Sequence, residues 1–533
     1  MIRRPNISLV LATICLVSLT AQAETPDAAS RFELADVHPS APFINSDARD
    51  VNGGLMRGGI YHLRQASMLD LVRMAYGVDA NKVLGGPSWL EMDRFDIHAK
   101  VPAGTTSATV KPMLRALLAE RFGLVAHNDT KPVPAWVLTA GKHPQLKKSE
   151  GSDSSGAGGC RSAASGDSVE VTCRNTTMDA FVSGLGRMDG AWYYVGDNLV
   201  VDKTGLNGEW DFDVRYSARQ KATTPASEIV SLFDAIDRLG LKLDPSMVPM
   251  PVVVVDSVIR TPTPNSPDAD KAFPPPSTEF EVAEVKASDP DDNRDNFSLG
   301  EGGRFTVHGA TLQSLITNVW GVTGEMIVGA PKFLDSDRWD IVAKAPDVMS
   351  ANGDADIDAA MVMLRAVLTD RFRLAAHFED RTMPAYVMIA SKPRLKKADP
   401  AARSGCREGP PTLVKVEPRS TNPVLGRLLT CTNVSMPWFA QQLQYLASSY
   451  VHTDVLDATG LEGGWGFTLS FSKMAQYRGN NGSGSGAGTA EEPSGALSAP
   501  EAMEKQLGLK LELRKRPVKV LVIDHIEAKP IDN

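Results

Sequence analysis

The sequence predicts an α+β fold made by tandem duplication, each copy holding two small half-units of a helix packed on antiparallel strands. Three observations carry that expectation. The first is self-similarity, which exposes repeat architecture before any motif does. GGPSWLEMDRFDIHAKVP (85–102) returns as GAPKFLDSDRWDIVAKAP (329–346), LRALLAERFGLVAH (114–127) as LRAVLTDRFRLAAH (364–377), and DKTGLNGEWDF (202–212) as DATGLEGGWGF (457–467), in the same order. Second, within each copy helical periodicity alternates with short strand-like runs, and few long crossovers separate them. Third, residues 261–278 hold six prolines and almost no large apolar side chain, the composition of a semi-extended linker. The expected organisation is a leader at 1–23, a first unit at 31–260, a linker at 261–278 and a second unit at 279–528. Surface loops are expected at 149–159 and 478–500.

In chain order, Arg3 and Arg4 precede an apolar run from Ile7 to Thr20, and Ala21-Gln22-Ala23 follows, the pattern of a cleavable secretory leader. Cys15 lies inside that run. Phe32–Val37 and Phe280–Val285 alternate as strands. Ser67 and Thr311 are N-cap residues before helices whose apolar positions, such as Met68, Leu71, Val72 and Ala75, recur at helical spacing. Gly77 and Gly321 stop them. Strands at 94–99 and 338–343 and helices at 113–122 and 363–372 come next. After each helix the spacing predicts two strands, 123–127 then 135–139 and 373–377 then 385–390, with the prolines around Pro132 and Pro384 as the turn. The second half-unit repeats this theme: helices near 177–185 and 437–447, strands at 210–216 and 465–471, helices at 229–239 and 501–507, and a closing strand pair.

Composition narrows the partners. The net charge is −8, or −10 once the leader's two arginines are removed, and no basic block is present. Nucleic acid and anionic membrane surfaces are therefore not expected partners. No stretch outside the leader reaches 18 apolar residues, so no transmembrane segment is expected after its removal. The mature chain is expected in the periplasm or outside the cell. Four cysteines remain there, Cys160, Cys173, Cys406 and Cys431, and an even number in an exported chain suggests the bridges Cys160–Cys173 and Cys406–Cys431.

The repeat also supplies a test for chemistry. A side chain needed for its reactivity keeps its type in both units, whereas a core side chain keeps only its volume. Tyr76 against Trp320, Trp89 against Phe333, Phe95 against Trp339 and Trp136 against Tyr386 behave as core. The polar matches are Asp93, Arg94 and Asp96 with Asp337, Arg338 and Asp340, then Arg121 with Arg371 and His127 with His377. Arg94 and Arg338, beside Asp93 and Asp337, are the candidate ligand-binding residues, able to clamp a carboxylate or phosphate bidentately. Against this stands an Asp–Arg ion pair that merely brackets a strand, with Arg121 complementing a helix C-terminus. No second histidine stands at metal-ligand spacing from His127 or His377, and no metal or cofactor is implied. Lys203-Thr204-Gly205 has Ala458 at its lysine position in the second unit, and the S-x-x-K from Ser470 to Lys473 follows it in the chain. The acylase reading therefore fails. The acidic run 289–295 puts Arg294 where a calcium loop needs glycine and Gly300 where it needs glutamate.

The elements FEVAEV (280–285), GGRFT with ATL (302–312), DRWDIVAKAP (337–346), MLRAVLTDRFRLAAH (363–377) and LGLKLELRKRPVKVLVIDHIE (507–527) resemble a secreted soil-bacterial family known only as a domain of unknown function. The resemblance spans both units. Some members of that family carry the module behind a membrane metallopeptidase, and this chain has no H-E-x-x-H, so the resemblance implies at most a sensing or docking role. The half-unit order also resembles the short N-terminal domains of secretins and TonB-dependent receptors. An exported, non-enzymatic docking protein with an envelope protein as partner is the leading expectation. A sensor of small anions is the second, and a hydrolase of unrecognised type the third.

Overall fold

The structure, a computed structural model, describes residues 31–40, 54–149, 158–165, 168–217, 230–273, 277–289, 295–346, 357–409, 427–474 and 496–531. The expected leader at 1–23 lies outside them, as do residues 150–157 and 478–495 of the expected loops and 290–294 of the acidic run.

Among the described residues each unit contains three four-stranded sheets, and the two units repeat the same strand order. In the first unit a front sheet runs Leu34–Pro39, Arg94–Lys100, Ile60–Ser67 and Leu55–Arg57, all antiparallel. Its middle strand alternates strictly: Phe95, Ile97 and Ala99 are buried, and the residues between them face out. Two helices cover the buried face. Met68–Tyr76 begins at a capping box of Ser67 and Asp70 and ends at Gly77 in left-handed backbone, as the spacing predicts. Ser107–Phe122 starts earlier than expected, because Thr106 caps it and Pro112 is tolerated within it. The rear sheet, Lys147–Lys148, Trp210–Ser217, Ser168–Thr176 and Gly159–Ser165, carries the helices Met178–Leu185 and Leu232–Arg238.

Between front and rear lies the element that overturns the expected half-unit design. Val125–Ala140 and Leu241–Ser257 pair along their whole length as one antiparallel ribbon, spanning about 50 Å at 3.3 Å per residue. Short parallel strands, Leu199–Asp202 and Val83–Gly85, flank its two ends. Val253 and Val255 belong to the front core, while Trp136, Leu138, Leu241 and Leu243 belong to the rear core. The second unit does the same with Ala375–Ala390 and Leu509–His525. Each unit is thus two cores on one shared ribbon, not two helix-plus-strand half-units. The described residues are accordingly strand-rich, 43% strand against 26% helix.

The expected turns were misread from proline. Pro132 and Pro134 sit inside a continuous strand opposite Pro249 and Met247, and Pro245 and Pro251 sit opposite Trp136 and Thr130. All five prolines share one parity of the register. Antiparallel pairs alternate between bonded and non-bonded, so one parity turns every missing N–H away from the partner strand. Pro384 and Pro517, opposite Lys515 and Thr382, obey the same rule in the second unit. Prolines at the ribbon's middle also block further strand addition there.

Both expected bridges are in place: Cys160–Cys173 and Cys406–Cys431 join directly opposed residues of neighbouring strands. The units touch. Arg403 donates to Val83 O at 2.8 Å, Arg407 to Glu91 Oε1 at 2.6 Å, and Ser404 N to Ser88 O at 3.0 Å. The first half of the expected linker is also not free. Thr263 N donates to Arg121 O at 2.8 Å, and the helical turn Ala269–Ala272 packs on Leu34–Pro39 with Ala269 fully buried.

Candidate functional site

The candidate arginines occupy equivalent places. In both front sheets the longest strand, Ile60–Ser67 or Arg304–Thr311, carries a β-bulge, between Leu63 and Ala66 and between Val307 and Ala310. The bulge puts Gln65 at φ +54° and Gly309 at φ +63°. Arg94 Nη1 donates to Gln65 O at 2.6 Å, and Arg338 Nη1 to Gly309 O at 2.5 Å. From the other side Asp96 accepts Gln65 N at 2.8 Å and Ser40 Oγ at 2.6 Å, while Asp340 accepts Gly309 N at 3.0 Å and Ser288 Oγ at 2.7 Å. Burial raises the Asp340 carboxyl, but the Ser288 hydroxyl and the Gly309 N–H outweigh it and hold the group below the ordinary carboxylate range. Each Arg–Asp pair therefore pins an outlying backbone turn. Asp93 instead takes Arg260, with Nη2 to Oδ1 at 2.8 Å, and Asp337 accepts Ser336 Oγ at 2.8 Å. Asp93 and Arg94 thus each make a contact of their own, Asp93 with Arg260 and Arg94 with the bulge carbonyl.

Arg121 is only 6% exposed and does more than complement a helix end. Its guanidinium donates to Thr263 O and Oγ1, to Ala35 O and to Asn265 Oδ1. Asn265 in turn accepts Val37 N at 2.9 Å and donates to Asp36. Residues 263–265 are therefore stitched along the free edge of the front sheet.

Two histidine arrangements complete the polar inventory. His127 Nδ1 meets Asp256 Oδ2 at 2.8 Å, and His377 Nδ1 meets Asp524 Oδ2 at 2.8 Å. Both aspartates are the extra residue of a bulge near the ribbon's end, which re-aims them toward the histidine. The Asp524 hydrogen bond is the main cause that raises the His377 pKa; burial opposes it and Glu379 adds to it. Among the described residues neither imidazole is hydrogen-bonded to a hydroxyl or thiol nucleophile. The sequence reading found the histidines but not Asp256 and Asp524, although VVVVDS and VLVIDH end in the same strand-then-Asp step. It also missed His38, His62 and His98, gathered on the outer face of the first front sheet, where His62 Nδ1 lies 2.8 Å from His98 Nδ1. Burial is the main cause that lowers the His98 pKa; His38 and Arg64 push the same way, against Asp36 and Asp96. Thr306, Val342 and Lys286 hold these places in the second unit. Among the described residues no group of three or more potential ligands is placed to hold a metal, and no helix is long and apolar enough to cross a membrane.

The units differ at a groove. It lies between the sheet-edge strand and the long front helix: Leu34–Pro39 with Ser107–Phe122, and Val282–Ala287 with Ile357–Arg371. In the first unit Thr263 and Asn265 bond to Arg121 and the edge strand, and Ala269–Ala272 packs on Leu34–Pro39; Leu34 is half-buried and Ala116 8% exposed. In the second unit Val282 is 68% exposed and Ala366 half-buried, and an open cavity of about 620 Å³ runs along Phe280, Val282, Met363, Ala366 and Val367.

A family model described as "Protein of unknown function (DUF3738)" matches residues 69–258 and again 313–526. The chain belongs to that family, and carries its domain twice. No curated protein and no solved structure matches it.

Proposed function

We propose that this chain, as two copies of one family module, is an exported, non-enzymatic docking protein of the cell envelope, and that its second unit carries the docking face. The observation behind this reading is the contrast between the two grooves: one fold, built twice, with residues of 263–273 packed along the first groove and nothing among the described residues packed in the second. A solvent-facing valine at 68% exposure on a sheet edge is the kind of surface that proteins cover when it has no partner. Export to the periplasm or beyond is supported by the leader pattern at 1–23 and by the two bridges.

Photo-cross-linking in cells that make the protein tests the reading. A benzophenone side chain in place of Val282 is expected to yield one discrete adduct, and the same group in place of Leu34 none. No adduct at 282, or equal adducts at both positions, rejects the docking face. The mature mass is expected to correspond to a chain beginning at Glu24, and a full-length mass would reject export through a cleaved leader.

A further inference from the structure

The two grooves differ in charge as well as in cover. At the first unit's groove Arg31 pairs with Glu120 at 3.3 Å and Lys100 with Glu33 at 3.0 Å, so acidic side chains along the rim are neutralised locally. The second unit keeps the acids, as Asp370 and Glu281, but Arg31 is replaced by Glu279. Lys344, the counterpart of Lys100, donates to Gly302 O. Glu279, Glu281, Glu284 and Asp370 all line the open groove, together with the cation Arg371, so acids outnumber bases there by four to one. None of these four makes an ion pair among the described residues. Four carboxylates against one guanidinium around an apolar floor leave a net negative potential, which selects against an acidic occupant.

The first unit also shows what shape the groove holds. Its own chain enters with Thr263 N on Arg121 O, and six residues later presents one helical turn, Ala269–Ala272. Ala269 is fully buried in that turn, and Phe273 closes its end half-buried. In the second unit Ile531 N donates to Arg371 O at 2.8 Å, the same opening step. Among the described residues nothing fills the groove beyond it.

Resting on the docking reading, we propose that the second unit's groove binds a basic peptide segment of a partner protein. The segment forms one helical turn that presents a small apolar side chain to Val282 and Ala366. Lysine or arginine on its flanks meets Glu279, Glu281, Glu284 and Asp370. A small residue is expected because Ala269 is the side chain fully buried where the helical turn packs on Leu34–Pro39, and the second unit's groove keeps side chains of similar size: Leu34 becomes Val282, Ala116 becomes Ala366 and Leu117 becomes Val367.

The test uses the full chain and two fluorescent peptides read by anisotropy. One has the sequence of residues 261–273, and the other carries D268K and D270K, which reverses its charge. The lysine peptide is expected to bind about tenfold more tightly at low salt, as two reversed charges against an acidic rim imply, and to lose that advantage at high salt. Val282→Glu, at an exposed position that leaves folding intact, is expected to abolish binding of both peptides. If neither peptide binds the wild-type chain, the docking reading itself falls. Equal binding by both peptides leaves docking standing and overturns the basic partner. Tighter binding of the lysine peptide that Val282→Glu does not weaken also overturns it, because the attraction then lies elsewhere on an acidic protein. Sedimentation showing that the chain pairs with itself through this groove overturns it as well, in favour of a second copy.

Discussion

Inside, the two units are nearly interchangeable; outside, they have diverged. Phe95 stacks edge-on against Phe122 at 4.8 Å, and Trp339 takes the same pose on Phe372 at 5.1 Å, with an interplanar angle of 76° in both. Arg115 lies over Tyr76 at 5.2 Å, and Arg365 over Trp320 at 4.8 Å. Ring identity changed while the packing geometry did not. On the outer faces the reverse holds: Arg31 became Glu279, His62 became Thr306, His98 became Val342, and Arg260, which holds Asp93, became Ala528. Duplicated cores are constrained by volume, and duplicated surfaces are constrained only by what they touch. A difference at an outer position therefore marks where one unit acquired a contact that the other lacks.

The covered groove offers the most severe way to break this comparison. Arg121→Ala removes donors to three linker groups and to Ala35 O, and is expected to cost about 3 kcal/mol and to expose residues 261–273 to protease. Denaturant unfolding with limited proteolysis reads both, and a cost below about 1 kcal/mol would mean that the linker lies loosely on the first unit. Opening the bridges tests whether the rear sheets are equally dependent on them. Serine at both Cys160 and Cys173 is expected to cost about 3 kcal/mol, and at Cys406 and Cys431 slightly more, because the second loop is longer. Thermal unfolding of the two double variants gives the order. Arg94→Ala and Arg338→Ala should each cost about 2 kcal/mol, near-equally, since each loses a charged hydrogen bond to a bulge carbonyl. A fully stable variant at either site would show that the bulge does not need its arginine.

Acidification sharpens the comparison most gently, because the two units should answer it in opposite directions. Burial lowers the His98 pKa, so its contribution is present above the ordinary histidine value of about 6.5 and is lost as pH falls through the lowered folded value. His377 is raised by Asp524, so its contribution is present below that ordinary value and is lost as pH rises through the raised one. Hydrogen exchange measured on either side of neutrality should therefore show the first front sheet loosening in acid while the second ribbon end tightens. Parallel responses would remove the distinction.

Much of this was legible in the residues, and the failures have physical causes. Ser67 and Gly77 mark a helix because capping is a local matter of one side chain and one backbone angle, and both ends were found. The repeat, the bridges and the aromatic core positions were legible for the same reason: each rests on residue type and order. Pro132 and Pro384 were misread because a proline's effect depends on which side of the strand its nitrogen faces, and only the partner's register decides that. The Asp–Arg match was visible, yet its partners were not, since Gln65 lies 29 residues from Arg94, and Asp93 reaches Arg260 across 167. The groove could not be read because it consists of an absence in one unit and a cover in the other. Only the change from Arg31 to Glu279 pointed to it, and that becomes a signal once the two strands are aligned.

The ribbon has a consequence for how each unit reaches its native state. Its arms, 125–140 and 241–257, bracket the whole rear half, so the rear half is nested inside the ribbon in the chain as well as resting on it in space. Bringing the arms together from an open chain closes a loop of about 100 residues, at roughly 4 kcal/mol of chain entropy. If residues 141–240 collapse first, that separation shrinks to the width of one small sheet and the cost mostly disappears. The favoured order is inside-out, with the bridged rear half condensing, the arms zipping over it, and the front half docking last on the valines they present. The front sheet and its edge groove are then the late, least committed part of each unit. In the first unit the edge is finally sealed by residues that follow the second arm.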